Sequence, residues 1–266
     1  MAMGIVLIVA APLAIAFVLG SAMPANTEAL AVAPTATPAR EELQAAVVPE
    51  PSATSVPFAP HPDPTGDRSG PDTRRAAPLG SLTDYTWPIR NARLTQPFGP
   101  SPLGQRIVDG APFHDGIDLA SFCGAQITAA HAGTVLAAGR HYDAYMGWVG
   151  DLTAYTARLN AKHLWLTLPN VVVIDDGNGY RSVYAHLHKV FVSPGDVVKA
   201  GAAIGTEGQT GNATGCHLHY SLFSPDTTST FGFDADAAAR MRLPTRELAR
   251  VDPLLVLPPL EDAGIH

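Results

Sequence analysis

The chain has 266 residues, with 17 Lys+Arg against 24 Asp+Glu and a formal net charge of −7. That length allows one or two domains of about 150 residues each, and an acidic balance with only 15% charged residues offers no basic field for a phosphate backbone, so no nucleic-acid partner is expected. The averages conceal three stretches of different composition: residues 1–27 carry no charged side chain, eleven of the 24 prolines fall between Pro24 and Pro78, and nine of the ten histidines and both cysteines follow Thr83.

The first stretch contains the apolar run from Gly4 to Gly20, GIVLIVAAPLAIAFVLG. At about 1.5 Å per residue it falls a little short of a hydrocarbon core of about 30 Å. Two readings stand for residues 1–22. One is an apolar helix that anchors the chain in a membrane. The other is a cleavable signal peptide, for which Gly20-Ser21-Ala22 supplies the small residues a signal peptidase needs. Neither gains support from basic residues ahead of the run, and both export everything downstream. Residues 23–82 are rich in Pro, Ala, Thr, Ser and Asp, with Phe58 the only aromatic. Such a composition buries too little apolar surface to offset the entropy of ordering its backbone, so a disordered linker is expected.

Residues 83–260 read as one mainly β domain. Short apolar or alternating runs at Gly133 to Ala137, Val171 to Asp175, Arg181 to His188 and Asp196 to Ala200 are separated by turn formers such as Asp176-Gly177-Asn178-Gly179 and Ser193-Pro194-Gly195. Two helices are predicted among the strands. Asp151 caps the first, whose stripe is Leu152, Tyr155 and Leu159; Asp234 or Asp236 opens the second, which Pro244 ends.

The chemistry concentrates in the histidines. His217 and His219 stand at i and i+2 in CHLHYSLF, and a strand puts both imidazoles on one face, with Cys216 on the other. Upstream, FHDGIDLA offers the nitrogen of His114 and the carboxylate of Asp118, and His186 follows in SVYAHLHKV. Three N/O ligands with one open position make a catalytic zinc site.

Taken in order, FHDGIDLA, YAHL and TGNATGCHLHYSLF resemble the lysostaphin-like (LytM-type) zinc endopeptidases that cut peptidoglycan peptides, and the likeness runs from about Phe98-Gly99 to Phe223. The resemblance implies an antiparallel, barrel-like peptidase domain with zinc as cofactor and wall peptides as substrate. It implies His114, Asp118 and His219 as metal ligands, with His217 as the base and His186 as the group that stabilises the oxyanion. It also brings Cys123 and Cys216 together around the metal, and because an exported compartment favours oxidation, a Cys123–Cys216 disulfide is expected in a monomeric catalytic domain. The chain departs from the family's pattern at about 140–169, where some 30 residues replace a short turn; a lid over the cleft and a packed addition to the core are both open. His188, His131, His141 and His163 read as surface residues, and Tyr184 and Tyr220 as packing. The alternative function is a noncatalytic envelope protein that binds wall peptides, or activates a partner hydrolase, through the same groove. At −7 the chain has no long-range attraction for anionic wall polymers, so wall binding is expected to rest on the groove itself.

Overall fold

The computed structural model describes residues 76–140, 143–227 and 229–266. The apolar segment 1–22, the linker up to residue 75, and His141 and Tyr142 lie outside them. Alternation with period two builds the central sheet. In the strand Leu218–Phe223, Leu218, Tyr220 and Leu222 point into the main core, while His219 and Ser221 point to the opposite face, where they line a cleft. The strand Ile117–Ala120 repeats the pattern, with Ile117 and Leu119 fully buried and Asp118 facing the cleft. Keeping each such Ile or Leu out of water contributes about 1.5–3 kcal/mol.

Across the central sheet the order is Arg93–Gln96, Ile117–Ala120, Leu218–Phe223, Arg181–Ala185, Asn170–Asp175, Gly133–Arg140 and Val197–Val198, with Arg250–Val251 also pairing Leu218–Phe223. Every one of these pairings is antiparallel. Two smaller antiparallel sheets, of three and six strands, complete the mainly β architecture expected from the sequence. The larger of them carries Ala111–His114 and so delivers His114 to the cleft. The fold also extends past both ends of 83–260: Ala76, Leu79 and Leu82 pack on the core, Ala263 and Ile265 are buried, and the amide of Leu94 donates to His266 O at 2.9 Å.

Both predicted helices form. The carboxylate of Asp151 accepts from the Thr153 amide at 2.8 Å, and α1 (Thr153–Lys162) buries Tyr155 and Leu159. Asp234 accepts from the Ala237 amide at 2.7 Å and caps α2 (Ala235–Met241), which ends where Arg242 turns left-handed, before Pro244. Tyr155 and Leu159 share an apolar cluster with Trp148, Leu168, Ala238 and Leu243. The described part of the 140–169 segment is therefore packed as additional core against α2, and its inner side walls the cleft through Tyr155, Leu159, Leu164 and Leu168.

One strand is shorter than its sequence suggests. The run Arg181 to His188 reads as continuous strand, but pairing stops at Ala185 because His186 adopts φ 67, a left-handed conformation that ends the ladder. His186 and His188 consequently do not share a strand face, and His188 is exposed, as expected of a surface residue.

Cys123 and Cys216 form a disulfide across 93 residues of sequence, with Cα atoms 5.4 Å apart. The same two loops are joined a second time, where buried Glu207 accepts from the Ser121 amide at 3.2 Å through both carboxylate oxygens. Closing a loop of this length removes about 4–5 kcal/mol of chain entropy from the unfolded state. Cys123→Ser with Cys216→Ser is accordingly expected to lower the melting temperature by about 10–15 °C. Calorimetry checks this, and a fall of only a degree or two would show that the bond does not constrain the unfolded chain.

Candidate metal centre

Strand register assembles the centre. Antiparallel pairing sets His219 directly opposite Asp118 on one side and opposite Ala185, the residue before His186, on the other. His114 enters from the end of Ala111–His114. One ligand atom from each of His114, Asp118 and His219 lies within 4.8 Å of the others. His114 Nε2 is 3.1 Å from Asp118 Oδ1 and 3.1 Å from His219 Nδ1, and His219 Nδ1 is 2.9 Å from the same carboxylate oxygen.

The hydrogen bonds around these atoms decide what can sit among them. His114 Nδ1 donates to Pro97 O at 3.0 Å, so the neutral ring turns a lone pair at Nε2 toward a carboxylate oxygen and a second imidazole nitrogen. Acceptors that converge in this way repel each other unless a proton or a cation lies between them. The titration behaviour carries the same signature. Burial opposes ionisation of Asp118, yet hydrogen bonds from His114 and His219 hold it well below the usual carboxylate range. Burial likewise pushes His114 down, but the hydrogen bond to Asp118, the charges of Asp118 and Asp115 and the bond to Pro97 O together raise the ring above its ordinary value. A donor set of two imidazoles and one carboxylate, already gathered and demanding positive charge, suits a divalent metal ion.

Gly116 is what lets His219 come so close. A Cβ at this position would stand 2.5 Å from Tyr220 O and 2.8 Å from the His219 ring. Because the first obstacle is backbone, the paired strands must shift apart, and the His219 ring is displaced with them. Gly116→Ala is expected to cost about 1–3 kcal/mol in stability, and to weaken metal binding about 10–100-fold, as when a group that orients a ligand is lost. Urea unfolding and a competitive metal titration read the two effects separately.

His186 and His217 lie beside these three residues with ring centroids 4.6 Å apart. His217 Nδ1 donates to Gly215 O at 2.9 Å, and its Nε2 is 3.8 Å from Asp118 Oδ2. His186 Nδ1 donates to Thr210 O at 2.7 Å, and burial pushes the ring down to about 4, so it is neutral at physiological pH. In both rings the Nδ1 bond leaves Nε2 as the free acceptor. All five residues singled out in the sequence thus come together, on the floor of a cleft of about 970 Å³. Tyr184 and Tyr220 pack as expected: both are fully buried in the core on the other side of the sheet, where the Tyr184 hydroxyl accepts from the Ala130 amide at 2.7 Å.

The sequence reading passed over a buried charged group under His219. Asp115 Oδ1 is 3.7 Å from His219 Nε2, and Asp115 Oδ2 is 3.5 Å from Arg106 Nη2 and 3.7 Å from Arg250 Nε. Arg106 in turn pairs with buried Glu247 through two hydrogen bonds. Burial works against the charge on Asp115, yet Arg106, His219 and Arg250 hold its carboxyl far below the ordinary range. The adjacency of Asp115 to His114 was visible; its arginine partners were not, since Arg106 is brought back by the hairpin of Arg106–Val108 with Ala111–His114 and Arg250 arrives from a strand distant in sequence.

A cleft in which a His/Asp/His group could hold a metal ion beside two further imidazoles has the donor set of a metal-dependent hydrolytic site. Residues 112–229 match the profile of peptidase family M23. The chain is similar to the peptidoglycan DD-endopeptidases ShyA and ShyB of Vibrio cholerae. With ShyA the identity is 51% over 53 residues, covering 20% of this chain and 12% of that protein. With ShyB it is 29% over 161 residues, covering 59% and 30%. The matches therefore span less than a third of these relatives. Among solved structures, the catalytic domain of lysostaphin from Staphylococcus simulans aligns with 27% identity and a TM-score of 0.38, over 52% of this chain and 84% of that one.

Proposed function

We propose that this protein is a zinc-dependent endopeptidase that hydrolyses peptide bonds of bacterial peptidoglycan. The observation that carries the reading is the convergence of His114 Nε2, Asp118 Oδ1 and His219 Nδ1, at separations of 2.9–3.1 Å, beside the free Nε2 acceptors of His186 and His217 in an open cleft. Ligands about 2.0–2.1 Å from a tetrahedral zinc ion stand roughly 3.3 Å from one another, so the three atoms need to separate only slightly. The match to family M23 and relatives named peptidoglycan DD-endopeptidases support the choice of substrate.

His114, Asp118 and His219 would hold the zinc. When bound, it supplies Lewis acidity toward the scissile carbonyl and brings the pKa of water toward about 7. The remaining steps belong to the protein. His217 takes the proton of the attacking water at Nε2 and passes it to the leaving amine, while the Gly215 carbonyl holds Nδ1–H and keeps the ring aimed. His186 rests as an acceptor toward that water. Its Nδ1–H stays committed to Thr210 O, so it would donate to the tetrahedral oxyanion only where it, in place of His217, takes the proton that the attacking water gives up and holds it at Nε2 until the amine leaves. The apolar segment 1–22, as signal peptide or membrane anchor, and the linker that follows would deliver this domain to the cell envelope.

The test is release of new amino termini from crosslinked wall peptides by the zinc-loaded full chain, abolished by a chelator and restored by zinc. Binding of the peptides without cleavage under varied pH and zinc would instead favour a noncatalytic envelope protein.

A further inference from the structure

Besides Asp118, five charged side chains line the cleft: Arg106, Asp115, Arg158, Asp234 and Arg250. Four of them are committed. Arg106 is paired with Glu247 and lies against Asp115. Arg250 also lies against Asp115, sits 4.4 Å over the Phe223 ring and donates to Leu248 O. Asp234 is spent on capping α2. Arg158 is different. It projects from α1, is half-buried, and among the described residues makes no ion pair and no side-chain hydrogen bond. It also belongs to the 140–169 segment, whose helix is fixed in place by Tyr155 and Leu159. A guanidinium partly withdrawn from water and without a counter-charge is poised for an anion, and its planar fork matches a carboxylate.

Resting on the endopeptidase reading above, we propose that Arg158 is a specificity-determining residue that binds a free carboxylate of the substrate peptide, so that the cleft prefers anionic stem peptides to amidated ones. The net charge of −7 would repel such a peptide at long range, so the recognition has to be local. The 140–169 segment then adds a selective wall to the cleft, over and above the core packing it provides.

The test uses the zinc-loaded full chain and two synthetic stem peptides, identical except that the α-carboxylates are free in one and amidated in the other. Calorimetric titration of the parent should give about tenfold tighter binding of the free acid, the scale of one charge-assisted hydrogen bond. Arg158→Gln should bind both peptides with the parent's affinity for the amide, and Arg158→Lys should keep part of the preference; thermal melts establish that each variant is folded. No preference in the parent, or a preference that survives in folded Arg158→Gln, overturns the assignment. Crosslinked versions of the same peptides, assayed for cleavage, separate this claim from the one beneath it. A preference lost in Arg158→Gln without cleavage of either peptide keeps the carboxylate site and overturns the endopeptidase reading; cleavage with a preference that ignores residue 158 does the reverse.

Discussion

His219→Ala is expected to lose the metal and, with it, hydrolysis. His219 occupies the middle of the site, with Nδ1 within 3.1 Å of both other ligand atoms. Removing it leaves one imidazole and one carboxylate, too few to hold zinc against water and free imidazole in solution. Metal content, read by elemental analysis after gel filtration, should fall from about one ion per chain to near none, and the cleavage rate by roughly 10³-fold or more, the scale on which a central catalytic group is felt. The fold should survive, because the ring points into the cleft and the core face of its strand is formed by Leu218, Tyr220 and Leu222. A folded His219→Ala protein that still carries a full complement of zinc would mean that the ligands have been misassigned.

His217→Ala should separate what His219→Ala joins. Its Nε2 stands 3.8 Å from Asp118 Oδ2, outside the group of three that gathers within 4.8 Å, and Nδ1 is held by Gly215 O. Zinc should therefore remain at the parent's stoichiometry while kcat falls by about 10²–10⁴-fold, the usual contribution of a positioned general base. KM should change little. If zinc departs together with activity, His217 is acting as a ligand; if activity is retained, His186 carries the proton alone. The tautomer argument favours a shared arrangement, since both rings present an acceptor to the cleft.

Much of this centre was legible in the sequence because strands impose a period of two. In CHLHYSLF and GIDLA the apolar residues fall on one face and the chemistry on the other, and antiparallel register then sets His219 against Asp118. The helix stripes and the Asp234 cap were legible for a similar local reason, whereas the residue at the N-cap of α1 is Leu152, with Asp151 one position ahead of it and accepting from Thr153. His186 was less so. Its left-handed backbone depends on the loop that holds its ring at Thr210 O, a contact 24 residues away, and the flanking residues read as unbroken strand. The disulfide could be anticipated only through family resemblance, because spacing alone does not bring together two cysteines 93 residues apart. Asp115 lay in plain view beside His114, yet its buried charge requires Arg106 and Arg250 from other strands, and Arg106 itself pairs with Glu247 at a separation of 141 residues. The role of residues 140–169 was open for a comparable reason: the faces of α1 could not be assigned until α2 supplied the surface it packs on.

The most direct test of the whole account is digestion of purified sacculi by the 266-residue chain, with released fragments identified by mass spectrometry before and after chelation. The expected result is a set of muropeptides, each shortened by hydrolysis of a peptide bond, that vanishes with the chelator and returns when zinc is restored. Fragments that appear equally in the chelated sample, or none under any metal condition from a protein that has bound zinc, would contradict it.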